Sequence, residues 1–242
     1  MKILNPWNGA TIADVATDDA RSVAAKYRAA RAAQPRWAAM PIRKRIETIA
    51  RFRERIVALE ETLARTLTHE VGKPIRQSRN ELKGLLARLD FFLAESARTL
   101  RDEKVLVDHA GRLEERISHE PLGVVANISA WNYPYFVGSN VFVPALAAGN
   151  AVLYKPSEHA TLTGLHIAEL LHESGVPEDV FVPLIGGGET GAALLRPNQP
   201  RSRPSRKSQP SKCQTCLRKK ARRQRIQRRN RRAENGEGRA TR

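Results

Sequence analysis

Cysteine is nearly missing from this 242-residue chain: only Cys213 and Cys216 are present, both close to the end of the sequence. A disulfide framework is thereby excluded, and nothing points to an oxidising compartment. Long apolar runs are missing too. The most apolar stretch, VFVPALAAGNAVLY, is broken by Pro, Gly and Asn, well short of the about 20 residues that a membrane-spanning helix requires. The opening, MKILNPWNGATIADV, has no apolar block of the kind a secretory leader carries. The chain therefore reads as cytoplasmic, with no membrane partner.

A third scarcity is local. Residues 196–242 hold 18 Lys+Arg against 2 Asp+Glu, contain no aromatic residue, and have only Leu217 and Ile226 as large aliphatic side chains. Almost all of the formal net charge of +17 belongs to this segment, and residues 1–195 are close to neutral. So few apolar side chains cannot offset the entropy of ordering a backbone, so a disordered basic tail is expected. Residues 1–195, at roughly 47% apolar, have the composition of ordinary globular protein and the length of one or two domains. The change from GAALL to RPNQPRSRP at Leu195 is abrupt.

The near-neutral body divides by periodicity. After a turn-rich start, NPWNG, residues 18–39 alternate Ala with Arg in a helical composition. From Pro41, apolar residues recur every three or four positions (Ile42, Ile46, Ile49, Phe52, Ile56, Leu59, Leu63, Leu67), which predicts one amphipathic helix with Pro41 in its first turn. VGKP stops it, with Gly72 as the C′ residue and Pro74 opening a third helix through Leu82, Leu85, Leu86, Leu89, Phe92 and Leu93. RLEERISHEPLGVV has the charge alternation of an exposed strand or hairpin. Beyond it GVVANISA, NAVLYKPS and VFVPLIGG read as strands, and FVGSNVFVPALAAG, TLTGLHIAELLHESG and ETGAALL read as helices. Buried apolar strands alternating with helices predict βαβ units and a parallel sheet, with Gly149 and Gly175 at helix C-termini.

Three segments fall at the expected strand ends: NISAWNYPYF (127–136), YKPSE (154–158) and GGGETG (186–191). On its own residues Asn132, before an aromatic and a proline, reads as a turn residue. At the carboxyl end of the first strand of a parallel sheet, it also lies where open α/β sheets bind ligands. Lys155 reads as a solvated strand end, and Ser157 and Glu158 as helix-terminus residues. GGGETG satisfies G-x-G-x-x-G with Gly186, Gly188 and Gly191, a pattern that says little alone. With HEVGKPIRQSRNEL upstream, the four motifs occur in the order and spacing of the NAD(P)-dependent aldehyde dehydrogenase superfamily, which residues 1–195 resemble over essentially their whole length.

That resemblance implies site roles. The Asn of W-N-[FY]-P donates its amide to the carbonyl oxygen of the substrate as a cysteine attacks, so Asn132 is expected to form an oxyanion hole. Ile128 and Trp131 match positions lining the cofactor cleft, with a packed-core role open for Ile128. Lys155 and Glu158, with Ser157 in the same YKPSE segment, fall to the adenine ribose of the cofactor. A carboxylate there accepts from both ribose hydroxyls but repels a 2′-phosphate, which implies NAD, with NADP as the alternative. Gly188 and its neighbours are expected to give backbone clearance near the adenine, or else to make an ordinary tight turn. HEVGKP carries a structural role against the cofactor domain.

The resemblance also exposes what is absent. The family needs a nucleophilic thiolate and a general-base Glu, and both lie downstream of GGGETGAALL, where this sequence has RPNQPRSRPSRKSQPSKCQTCLRKK with no matching motif. Cys213 and Cys216 come too early for the nucleophile, and a single C-x-x-C supplies only two metal ligands, so no metal site is assigned. Two accounts of the tail stand: a shifted reading frame, or a basic arm, CLRKKARRQRIQRRNRR, that contacts nucleic-acid phosphates weakly and without sequence preference. The expected plan is an α/β, aldehyde-dehydrogenase-like chain with a helical region over 1–103 and a partial oligomerisation hairpin over 104–120. An incomplete doubly wound, Rossmann-like NAD-binding domain follows over 121–195, then the disordered basic tail over 196–242. The expected activity is that of an N-terminal fragment of an enzyme oxidising an aldehyde to an acid, inactive alone, and a homo-oligomer when full length.

Overall fold

A computed structural model describes residues 1–107 and 114–195. The basic segment 196–242, with both cysteines, and the expected hairpin's residues 108–113 lie outside the described residues. The chain opens with a small antiparallel pair, β1 (Lys2–Leu4) and β2 (Thr11–Asp14), closed by the NPWNG turn. Sequence periodicity did not predict these strands because three or four residues are too few to show alternation. The turn itself is local chemistry: the Asn5 side chain accepts from Trp7 N at 3.0 Å, and Asn5 N donates to Ala10 O at 2.8 Å.

Four helices follow: α1 (Ala20–Ala39), α2 (Ile42–Ala58), α3 (Glu60–Val71) and α4 (Ile75–Thr99). Asp19 caps α1 by accepting from Ser22 N at 2.7 Å. The single helix expected from Pro41 to Leu67 is in fact two, bent at Leu59 (φ −112°, ψ 13°). The apolar period runs on through the bend because Leu59 N still bonds Arg55 O and Leu59 O still receives Leu63 N. The bend separates two buried faces, Ile49, Phe52 and Ile56 on α2 from Leu63, Ala64, Leu67 and Glu70 on α3. Gly72 ends α3 at φ 78°, a backbone conformation that costs an L side chain energy, and its N–H closes on Thr68 O.

The charged segment after α4 forms β3 (Glu103–Val107) paired antiparallel with β4 (Glu114–Ile117). Then come β5 (Val124–Ile128), α5 (Pro134–Ala147), β6 (Ala151–Lys155), α6 (Thr161–Glu173), β7 (Phe181–Pro183) and α7 (Gly188–Leu195). The three strands form a parallel sheet in the order β5-β6-β7, with Val124 opposite Ala151 and Ile128 opposite Lys155. Every residue of the central strand β6 is buried: its first four, AVLY, read as an apolar run, and its last, Lys155, is a buried cation.

The core lies where the helical region meets this sheet. Phe52, Phe142, Tyr154 and Phe181 form a ring cluster with centroids 5.2 to 6.3 Å apart, joining α2, α5, β6 and β7. Trp37 is buried and donates to Leu146 O at 2.9 Å, and the Arg45 Nε donates to Ala147 O at 2.9 Å. The helical region and the sheet therefore share one core instead of packing as separate bodies.

Candidate active site at the carboxyl ends of the parallel strands

Parallel pairing brings the first two motifs together. Ile128, the last residue of β5, sits opposite Lys155, the last of β6, and Ser129 N donates to Lys155 O at 2.9 Å. The loop 129–133 and the YKPSE turn therefore emerge side by side. The start of α7 comes close as well, since a Cβ on Gly191 would stand 3.5 Å from Lys155 Cδ. Both Ser129 and Gly191 thus approach Lys155 at one end of the sheet, as a doubly wound fold places its ligand crevice.

At this end the Asn132 side chain is exposed and makes no hydrogen bond among the described residues, so its amide is available to a ligand. Trp131 and Ile128 are 52% and 50% exposed in this chain, Ile128 on the edge strand of the sheet. Trp131 and Glu158 border a cavity of about 530 Å³ that Ile3, Glu70 and Val71 also line. The β1 wall was not foreseen from sequence, because it depends on the N-terminal hairpin folding back to this place.

Lys155 is buried, and its Nζ donates to Pro156 O at 3.0 Å and stands 3.7 Å from Glu158 Oε2. That leaves a buried ammonium with donor capacity beside an exposed carboxylate. The Glu158 carboxyl is held below the usual carboxylate range, first by its own backbone N–H and then by the Lys155 charge, so it is an acceptor at neutral pH. Ser157 accepts from His159 N at 3.2 Å, as a turn residue does. In the glycine turn, Gly186 has φ 147° and a Cβ there would collide with Thr190 Oγ1. Gly188 has no such constraint: a Cβ would meet nothing within 4 Å, and the residue faces an open cleft of about 660 Å³ shared with Asp18 and Asp19.

Three residues missed as site-builders stand behind these motifs. Glu70 on α3 is buried and accepts from Leu162 N at 2.6 Å and from Thr163 N and Oγ1 at 2.9 and 2.8 Å, capping α6. Glu81 on α4 is buried and accepts from Tyr135 N at 2.8 Å and Phe136 N at 3.3 Å, capping α5. Lys73 Nζ donates to Glu81 Oε2 at 2.6 Å and to Asn132 O at 2.7 Å. Burial pushes both carboxyls up, a rise that the helix N–H groups oppose at Glu70 and that Lys73 opposes first at Glu81. The sequence signal available was an acidic residue in each helix preceding the sheet, but nothing local says which helix end it will meet.

Comparison with known proteins bears on the family and the fold. The family model described as the aldehyde dehydrogenase family matches residues 1–202. N-succinylglutamate 5-semialdehyde dehydrogenase 1 of Caulobacter vibrioides is 37% identical over 193 residues, which is 79% of this chain and 40% of that protein. The 3,6-anhydro-alpha-L-galactose dehydrogenase of Streptomyces coelicolor is 34% identical over 196 residues, 81% of this chain and 39% of that protein. Among solved structures, PnpE in complex with nicotinamide adenine dinucleotide superimposes with a TM-score of 0.75 at 33% identity, covering 80% of this chain and 40% of that one. An NADP-dependent enzyme of E. coli does so with a TM-score of 0.75 at 29% identity, covering the same shares. The chain spans about 40% of the length of the relatives it matches. No helix among the described residues is long and apolar enough to cross a membrane.

Proposed function

Because the chain belongs to the aldehyde dehydrogenase family, we propose that residues 1–195 are the part of an aldehyde-oxidising enzyme that carries the oxyanion donor and the adenosine end of the cofactor site. The whole protein would oxidise an aldehyde to a carboxylic acid, with NAD, when bound, supplying the hydride acceptor. The observation that carries this reading is the unpartnered, exposed carboxamide of Asn132 at the carboxyl end of β5, beside the Lys155–Glu158 pair at the end of β6.

Asn132 donates to the substrate oxygen as it gains negative charge, and does so from a backbone already held in place. Lys155 and Glu158 take the adenine-ribose hydroxyls, one as donor and one as acceptor, with Ser157 holding the turn between them. The Glu158 charge disfavours a 2′-phosphate, so NAD is preferred over NADP. Ile128 and Trp131 offer exposed apolar surface to the cofactor, and Gly188 keeps the cleft beside it open. The β3–β4 pair, with its exposed Val105 and Ile117, serves oligomerisation of the whole protein.

These 242 residues alone do not turn over an aldehyde, because their only thiols are Cys213 and Cys216 and neither lies in a segment matching the family's nucleophile. We read 196–242 as translated from a shifted frame, which the nucleotide sequence around codon 195 tests directly. The second reading of that segment, non-specific phosphate binding, is favoured by its 18 Lys+Arg. It predicts heparin retention near physiological salt that is lost on deleting 196–242.

The test of the enzymatic reading is a chimera joining residues 1–195 to the remaining portion of the Caulobacter relative. It should reduce NAD with an aldehyde, and Asn132→Ala in it should lower kcat by about 10²–10³ with a smaller effect on KM. An unchanged kcat in that variant would remove Asn132 from the chemistry.

A further inference from the structure

We propose that Lys73 is a positioning residue for Asn132, and that Glu81 is the anchor through which it acts. This rests on the reading of Asn132 as the oxyanion donor.

The geometry is a two-sided clamp on a five-residue stretch. Glu81 is buried, and its two carboxylate oxygens do different work: Oε1 accepts from Tyr135 N at 2.8 Å and Phe136 N at 3.3 Å, while Oε2 accepts from Lys73 Nζ at 2.6 Å. The same ammonium donates to Asn132 O at 2.7 Å and lies 4.4 Å from the centre of the Tyr133 ring. The main chain is therefore held on the carboxyl side of Asn132 by its own carbonyl and again three residues later by two amides, all through one carboxylate. Proline at 134 supplies no N–H and fixes its own φ, so the short span between the two attachments has little freedom.

Asn132 needs this more than a residue inside a helix would. It lies after the end of β5 and before the start of α5, outside either hydrogen-bonded ladder, and its side chain makes no bond that would orient it. An oxyanion donor acts by being in place before charge develops. With a free amide, that order must come from the backbone, and Lys73 is the side chain that bonds the backbone at this residue. Lys73 leaves α3 immediately after Gly72, so the left-handed turn at Gly72 delivers the ammonium to the sheet end. Glycine and lysine adjacent in this motif thus serve one purpose, the first aiming the second.

The test uses the 242-residue chain and needs no turnover. Amide exchange and NMR shifts are recorded for the Asn132–Tyr133 peptide group, the Asn132 side-chain amide and the Tyr135 amide, with thermal stability measured in parallel. Lys73→Met strands a buried carboxylate and can impair folding, so Lys73→Met/Glu81→Gln, which keeps an acceptor for Tyr135 N, and Lys73→Arg are measured beside it. The expected result is that the double variant moves the Asn132 carbonyl-carbon and Tyr133 amide-nitrogen shifts, which report the lost bond to Lys73, while exchange at Tyr135 and at the slow amides of α4 and α6 stays within about threefold of the parent. Lys73→Arg should restore the parent's shift at the Asn132–Tyr133 peptide.

Unchanged shifts at residues 132–133 in the double variant would overturn the proposal. So would a uniform acceleration of every slow amide, which would make Lys73 a contributor to overall stability only. Either failure leaves the oxyanion reading to its own test, since Asn132→Ala in the chimera reports on the amide whatever holds its backbone.

Discussion

The Glu70 carboxylate on α3 receives both the backbone N–H and the hydroxyl of Thr163 on α6, at 2.9 and 2.8 Å, and so supplies from a distant helix the cap that the local sequence omits. Ala160, at the N-cap position of α6, has no side chain able to accept, and Leu162 N also turns to Glu70. A helix of the N-terminal region thereby holds the crossover that follows the YKPSE turn.

Glu70→Ala should leave three donors unsatisfied in a buried place and cost about 2–3 kcal/mol, read from the urea unfolding midpoint. Glu70→Gln should cost less, since a carboxamide oxygen still accepts. The pH dependence has a definite sign. Burial raises the Glu70 carboxyl above its ordinary value of 4.5, so its contribution is fully present below that value and is lost as pH rises through the raised folded-state value. Glu70→Gln should therefore flatten the fall in stability above pH 4.5, and an unaltered slope would argue against the assignment.

Arg45 should be equally unforgiving. It is buried, donates to Ala147 O at 2.9 Å and Ala38 O at 3.0 Å, and reaches Met40 O as well, so one guanidinium fork serves the ends of α1 and α5. Lysine cannot reproduce that fork. Arg45→Lys is expected to destabilise the chain by about 2 kcal/mol, seen as a lower Tm with the fold retained.

Two glycines separate packing from ligand clearance. A Cβ on Gly164 would stand 2.5 Å from Pro156 Cβ, part of a rigid ring, so Gly164→Ala should cost about 1–3 kcal/mol through overpacking. A Cβ on Gly188 would meet nothing within 4 Å. Gly188→Ala should leave Tm unchanged, and if the cofactor approaches this turn it should weaken NAD binding several-fold in calorimetry. Equal NAD affinity would remove Gly188 from the cofactor site.

The cofactor preference is testable on the chain itself. Glu158 is held below the usual carboxylate range, so its negative charge persists at neutral pH and into mild acid. NAD should bind more tightly than NADP, and Glu158→Gln should narrow that difference by roughly tenfold, the size expected for removing a charged hydrogen-bonding partner. Trp131, half exposed at the cavity rim, is a fluorescence reporter for the titration.

Legibility from sequence followed the range of the interactions. The βαβ alternation, the helix ends at Gly72, Gly149 and Gly175 and the place of the motifs at strand ends could be read, because each depends on residues a few positions apart or on a short apolar run such as AVLY of β6. The bend at Leu59 could not, since the hydrogen-bond ladder and the apolar period both pass through it. Nor could the β1–β2 pair, whose strands are too short to show alternation and whose Ile3 is buried only once the hairpin folds back. HEVGKP was legible as structural, but the destinations of Glu70 and Lys73 were not.

By itself, then, the sequence determined the α/β class, the parallel strands, the place of Asn132, Lys155 and Glu158 at strand ends, and the break in composition at Leu195, all consequences of local pattern and side-chain chemistry. The tertiary structure alone decided that Ile128 is half exposed in this chain, that β1 walls the cavity, and that Glu70, Lys73 and Glu81 hold the two crossover helices and the Asn132 backbone. Such contacts join positions 54 to 93 residues apart, and a buried charge finds its partner there only when packing has excluded water from every alternative.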